Sequence, residues 1–241
     1  MKIRIIRSKT LGLIGGTGPE STIEYYRLLI AKYRELADGN SPSLIINSIN
    51  IKPLLEWMTA GELGKVTDYL AAEFEKLHKA GADFAALTAN TPHIVFDELQ
   101  QRSALPLISI VEATRDHIQK SGLKTVALFG TRFTMQASFY PEVFSRTGIK
   151  LVTPNDEEQN YIHGIYLGEL LKDIFRPETR AKLLSIIDTM HTRDGIEAVI
   201  LGGTELPLLL RDEQHNGLPL LDTTHIHVDR LIAELFDNGH R

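Results

Sequence analysis

The chain has 241 residues, 43% hydrophobic and 24% charged, which is ample apolar material for one large core or two small ones and excludes disorder. Its net charge of −5 argues against a sequence-independent grip on nucleic acid, and no apolar run approaches the roughly 18 to 20 residues of a membrane span. No signal-peptide pattern opens the chain, so a soluble cytoplasmic protein is expected. The absence of cysteine removes disulfides, thiolate metal sites and thiol nucleophiles together.

The basic start "MKIRIIRSK" alternates charged and apolar residues and reads as an edge strand or a lead-in to the first strand. "TLGLIGG" (10–16) is a buried strand ending in glycine, and 20–39 is the helix behind it, closed by Gly39. "SLIINSIN" (43–50) is a second strand and 61–82 a second amphipathic helix. "FAALTAN" (84–90), a helix over 92–102 and the strand "PLISI" (106–110) complete the first series. "TVALFGTRFTM" (125–135) begins the pattern again with strand, Gly-Thr turn and helix, the last reaching residue 148. "IKLVTP" (149–154) is strand-like, 157–175 and 178–195 are helical, "EAVILGGTE" (197–205) is a strand, and 218–240 is a short strand feeding a final helix.

Thr17 and Thr91 lie about 74 residues apart and Thr131 and Thr204 about 73, so one βα plan is used twice. The expected fold is α/β with two pseudo-symmetric lobes, each a mainly parallel sheet flanked by helices, and a ligand cleft between them. The first lobe is expected over 1–112 plus 218–241 and the second over 113–217. Ligands of open parallel sheets sit beyond the carboxyl ends of the strands, where turn amides and helix starts point outward. Four such ends carry Gly-Thr or Asn-Thr turns, a receptor suited to a small carboxylate.

"GGTGPES" (15–21) lacks the Gly-Lys-Ser/Thr ending of a phosphate loop and the full dinucleotide pattern; Pro19 and Glu20 suit a first helical turn. "GTRFT" (130–134) adds a possible cation in Arg132. In "DTTHIH" (222–227) two histidines two apart at a helix start point different ways, which favours a cap from Asp222 or Thr223, with one His facing the cleft, over a metal site. His93 and Glu205 follow Thr91 and Thr204 at comparable places; each is either a polar cap or, as a pair, a candidate for proton transfer.

The ordered set "GLIGGTGPEST", "NTPH", "FGTRFTMQASFY", "GGTE" and "DTTHIH" resembles the aspartate/glutamate racemase family over nearly the whole chain. That resemblance implies two pseudo-symmetric lobes with the substrate between them, a homodimer, and proton transfer at the α carbon without pyridoxal phosphate or any other cofactor. It also implies that the loops matching Thr17, Asn90, Thr91, Thr131 and Thr204 hold the carboxylates. Thr134, His225, Asn50 and Lys172 are weaker candidates for contacting the ligand. No metal, nucleic acid or membrane partner is expected.

Where typical members carry a cysteine before "NT" this chain has Ala89, and where they carry one before "TE" it has Gly203. Neither residue holds a transferable proton. Losing one general base typically removes two to four factors of ten in rate, at about 1.4 kcal/mol each, so two-thiol racemisation is excluded. Three readings stay open: a divergent enzyme in which His93, Glu205 or a nearby hydroxyl such as Thr88 handles protons, a small-acid-binding pseudoenzyme, or a thiol-less variant of a racemase.

Overall fold

The computed structural model describes residues 9–145 and 147–237, so the reading of the first residues as a strand or lead-in falls outside it, except at Lys9. By internal packing the described residues divide into two units, one formed by 9–88, 95–109 and 227–237 and the other by 89–94, 110–145 and 147–226. Each is built on its own mainly parallel sheet.

In the first unit, β1 (Thr10–Gly15), α1 (Pro19–Leu36), β2 (Ser43–Ser48), α2 (Ile51–Thr59), α3 (Leu63–Lys79) and β3 (Phe84–Leu87) follow in order, with strand order β2-β1-β3 and all pairs parallel. Strands β1 and β3 are buried along almost their whole length, as a parallel sheet covered on both faces requires. Leu11, Leu13, Phe84 and Ala86 form one core with Tyr25, Leu29 and Tyr33 of α1 and Val228, Leu231, Ile232 and Leu235 from the end of the chain. Gly12 lets α3 approach the sheet: a Cβ there would lie 3.1 Å from both Ala82 Cβ and Leu77 Cδ1. α1 starts with Gly18 as cap, Pro19 in its first turn and Glu20 near the positive end of the helix dipole.

A 3-10 turn (Thr91–Val95) and α4 (Phe96–Arg102) come next. The strand expected at 106–110 is reduced to a single bridge between Ala85 and Leu107, because Pro106 has no amide to donate and α5 (Ile110–Ser121) has begun by residue 110. α2 was not anticipated; Asn50 caps it by accepting a hydrogen bond from the Lys52 amide at 3.1 Å.

The second unit continues with β4 (Thr125–Gly130), α6 (Arg132–Gln136), α7 (Phe139–Phe144), β5 (Lys150–Val152) and α8 (Asp156–Gly168). A 3-10 turn (Leu170–Lys172), α9 (Pro177–Asp194), β6 (Ala198–Gly202), α10 (Leu206–Leu209), β7 (Gln214–His215), β8 (Leu218–Asp222) and α11 (Thr223–Phe236) complete the chain. Strand order is β5-β4-β6-β8-β7, with only β7 antiparallel. Side chains alternate across this sheet. Ala127, Phe129, Val199 and Leu201 pack on α8 and α9, while Val126, Leu128, Ala198 and Ile200 pack on α5 and α7.

Strand 218–222 was expected with the first lobe, but β8 pairs with β6 through Val199–Leu220, Ile200–Leu221 and Leu201–Asp222 and therefore belongs to the second sheet. Residues 110–112, also expected in the first lobe, open α5 in the second unit, where Ile110 and Val111 pack in its core. Only from His227 onward does α11 belong to the first unit. Among the described residues no helix is long and apolar enough to cross a membrane.

α8 begins with a reciprocal cap: Asn155 Oδ1 accepts from the Glu158 amide at 2.9 Å, and Glu158 Oε2 accepts from the Asn155 amide at 2.8 Å. Asn155→Ala is expected to lower stability in urea unfolding by about 1 kcal/mol, with Asn155→Asp recovering most of it.

Candidate active site

The chemistry-bearing side chains of the second unit gather at the carboxyl ends of β4, β6 and β8. Gly130 pairs with Gly202 and Leu201 with Asp222, so Thr131, Gly203 and Thr223 emerge from three adjacent strands. The glycines at these ends are required by crowding. A Cβ at Gly130 would lie 2.8 Å from the Gly202 carbonyl oxygen and 2.9 Å from Thr134, and one at Gly202 would lie 2.8 Å from Leu128 Cδ1.

Segment 89–91 crosses the end of β6 and is tied on both sides of it. Toward β4, the Thr91 hydroxyl lies 3.3 Å from those of Thr131 and Thr134, which are 3.2 Å from each other. Thr131 also caps α6, accepting from the Thr134 amide at 3.3 Å. Toward β8, the Asn90 side-chain amide donates to Thr223 Oγ1 at 3.1 Å, and Thr223 in turn donates to the Leu201 carbonyl at 2.9 Å. Asn90 Oδ1 accepts from the Tyr140 hydroxyl at 2.8 Å. Tyr140 is fully buried, and burial raises its pKa well above the usual phenol value, so it stays a donor.

These bonds join Asn90, Thr91, Thr131 and Thr134 to Tyr140, which the sequence did not point to, and to Thr223, which it offered as a helix cap; Gly203 and Thr204 follow the neighbouring end of β6. A second cluster sits at position 203. The Tyr166 hydroxyl, from α8, donates to Glu205 Oε2, and Thr204 Oγ1 donates to the same oxygen at 3.0 Å. Both Tyr166 and Glu205 are buried. Burial raises the Glu205 carboxyl, partly opposed by its bonds to Tyr166 and Thr204. Burial and the Glu205 charge raise the Tyr166 phenol. Tyr166 was missed because it follows Ile162 and Ile165 on the apolar face of α8 and reads as core; the one signal was a glycine at 203, which leaves room for a neighbour.

His93 is also held in this unit, 2% exposed. Its Nδ1–H donates to the Ala89 and Asn90 carbonyls at 3.0 and 3.2 Å, and its Nε2 accepts from the Ile110 amide at 3.3 Å. Since carbonyls only accept, Nδ1 carries the proton and both nitrogens are engaged in fixing the 89–91 segment. That geometry leaves no free nitrogen for the proton transfer expected of it.

Arg132 is exposed: its guanidinium donates to Asn160 Oδ1 at 3.0 Å and its amide to His163 Nδ1 at 3.3 Å. Lys172 lies exposed on the 3-10 turn after α8, away from any hydrogen bond with these threonines. Asp222 is the cap of α11, accepting from the amides of Thr224 and His225 at 2.8 and 3.2 Å. His225 is exposed beside it. Among the described residues no group of three or more His, Asp or Glu is placed to hold a metal. The hydroxyl of Thr224 is buried without a hydrogen-bond partner.

In the first unit, the turn after β1 carries Thr17, whose hydroxyl is likewise buried and without a partner. Around it Thr22 Oγ1 accepts from the Gly16 amide at 2.9 Å and Ser21 Oγ donates to the Thr88 carbonyl at 2.7 Å. Thr88, fully buried, donates to the Ile14 carbonyl at 3.2 Å, so its proton is used in joining β3 to β1. His227, the other histidine of the 222–227 motif, is a core residue of this unit, bonded to the Tyr25 hydroxyl at 2.8 Å and the Ile108 carbonyl at 3.1 Å.

Comparison with known proteins agrees with this architecture. Residues 14–231 match the model of the Asp/Glu/hydantoin racemase family. The chain belongs to that family. It is 26% identical to the broad specificity amino-acid racemase RacX of Bacillus subtilis (strain 168), over 89% of this chain and 92% of the relative. Among solved structures, an aspartate racemase homologue from Pyrococcus horikoshii OT3 is 37% identical with a TM-score of 0.79, covering 94% of this chain and 99% of the other. The fold is shared with the glutamate racemase of Francisella tularensis subsp. tularensis SCHU S4, solved with D-glutamate, at 17% identity and a TM-score of 0.65 over 96% of this chain and 82% of that one. Within this family, the present chain has no cysteine.

The state of His93 gives a pH signature. Burial lowers its pKa to about 4, against about 6.5 in an unfolded chain. With the folded value the lower one, its contribution to stability is complete above pH about 6.5 and is lost as pH falls toward 4, by about 3 kcal/mol in all. Urea midpoints measured from pH 7 to 4 are expected to fall more steeply for the wild type than for His93→Gln.

Proposed function

We propose that this family member binds a small amino acid or dicarboxylate against the threonine-rich strand ends and catalyses proton transfer at its α carbon, without pyridoxal phosphate. The observation that carries this reading is the convergence of Thr91, Thr131 and Thr134 hydroxyls within 3.3 Å of one another, next to a buried Tyr166–Glu205 pair on the neighbouring strand end. Hydroxyls clustered this closely share few protons among several lone pairs and can turn their O–H groups outward to a carboxylate. Asn90, pinned at both ends of its amide, fixes the segment that carries Thr91. His93 is assigned a positioning role on the same segment. The partnerless hydroxyls of Thr17 and Thr224 are the kind of buried group that a bound polar molecule satisfies. D-Glutamate, bound in a glutamate racemase of the same fold, supports that choice of substrate class. Homodimer formation is inferred from family membership.

A binding-only role is the alternative that Ala89 favours, since that position carries no proton. A simple thiol-less version of a racemase fits less well, because the space beside Gly203 is filled by Tyr166.

Incubated in deuterated water with L- and D-aspartate and L- and D-glutamate, the protein is expected to exchange the α-proton of at least one of them, read as loss of its proton NMR signal. Thr91→Val is expected to weaken binding of that acid about 10-fold by calorimetry, one hydrogen bond's worth. Binding without exchange would support the binding-only role; no binding of any of the four would overturn both readings.

A further inference from the structure

Resting on the proton-transfer reading above, we propose that the Tyr166 hydroxyl, relayed to Glu205, replaces the thiol that relatives carry at position 203, and that it serves one face of the α carbon only. The replacement is spatial. A Cβ built on Gly203 would lie 2.7 Å from Tyr166 Cε2 and 2.8 Å from Cζ, so the phenol occupies the volume that a side chain at 203 would enter. A cysteine cannot be restored there without moving Tyr166, and Tyr166 cannot sit where it does unless residue 203 is glycine. The phenol is also coupled to a second proton site: its oxygen donates to Glu205 Oε2, whose carboxyl group receives a further bond from Thr204. These groups stand at the end of β6, next in register to the β4 end that carries Thr131.

The step balances without any further reactant. The α C–H bond breaks, its electron pair stays on the α carbon and spreads into the substrate carboxylate, and the proton passes to Tyr166 Oη. At the same time the proton already on Oη moves to Glu205 Oε2. Tyr166 ends neutral, Glu205 ends as the protonated acid, and the negative charge has moved to the substrate. Return runs the same bonds in reverse, and it delivers a solvent-derived proton when the proton taken up by Tyr166 Oη has first exchanged with water, by changing places with the one on Glu205 as that carboxyl equilibrates. Burial favours this division of charge, since it raises both groups and so holds the phenol protonated and brings the carboxyl closer to accepting a proton.

The single-face claim follows from the other thiol position. Ala89 has no proton to give or take, and the imidazole on the same segment, His93, has Nδ1 and Nε2 bound to backbone. A carbanion formed here is reprotonated from the side it lost its proton. The enzyme therefore exchanges hydrogen with retention of configuration, where a two-thiol relative inverts.

The test compares wild type, Tyr166→Phe and Glu205→Gln with L- and D-aspartate and L- and D-glutamate in deuterated water. α-Proton loss is followed by NMR, enantiomer composition by chiral chromatography, binding by calorimetry and folding by the thermal midpoint. Tyr166→Phe keeps the ring that fills the space and removes only the hydroxyl; Glu205→Gln keeps an acceptor for it and removes the relay. The expected result is wild-type exchange in one enantiomer of an acid without appearance of the other. In both variants exchange should fall by about 100-fold or more while affinity stays within about threefold. Exchange at the wild-type rate in either variant, or inversion at a rate comparable with exchange, overturns the assignment and leaves the proposed function standing. Binding with no exchange in the wild type overturns the assignment together with the catalytic part of that function, and no binding at all overturns the whole.

Discussion

Segment 89–91 is fastened across the end of one strand by side chains from the strands on either side of it, and the second unit's chemistry rests on that fastening. Thr91 meets Thr131 and Thr134 on one flank; Asn90 reaches Thr223 on the other, and Thr223 closes the link to Leu201. Each bond is worth only about 1 kcal/mol net, yet breaking one would leave a buried partner unsatisfied at two or three times that cost. Fixed orientation follows from this asymmetry. The amide of Asn90 has one arrangement that satisfies Tyr140 as donor and Thr223 as acceptor, so the residue that precedes Thr91 is a locked structural joint.

His93 shows the same economy in a different form. From its chain position, directly after a helix-start Thr, it has the credentials of an acid–base residue. Its surroundings decide otherwise: two carbonyls of the segment before it take the Nδ1 proton, and the first amide of α5 occupies Nε2. A neutral imidazole thus bridges the 89–91 segment to the start of α5, a task for which a group able both to donate and to accept is needed.

The strand-helix alternation, the duplicated plan and the Gly-Thr turns were legible in the sequence because they depend on local periodicity and on glycines whose positions are forced by backbone crowding, as at Gly130 and Gly202. The placement of β8 was not. Its sequence, "LPLLD", is compatible with either sheet, and only the register of Val199–Leu220 with its neighbours decides the matter. Of the polar groups gathered at the strand ends, the Asn-Thr and Gly-Thr turns stood out in the sequence and Thr223 read only as a helix cap, while Tyr140 and Tyr166 gave no signal of their own. These two sit on helices whose apolar spacing hides them in the core, and what distinguishes them is a partner 39 to 50 residues away in the chain. Asn50 and His225 had the composition of ligand contacts, but Asn50 closes a helix start and His225 stands in the open beside a cap.

The pairing of a small residue at 203 with a large one at 166 bears on how the chain withstands its chemical surroundings. Thiolates are oxidised by peroxide through sulfenic to sulfinic acid and are blocked by alkylating reagents, hazards that grow with their reactivity. A phenol hydrogen-bonded to a carboxylate meets neither reaction under the same conditions. With no cysteine anywhere in its sequence, this chain offers such reagents no thiolate to attack.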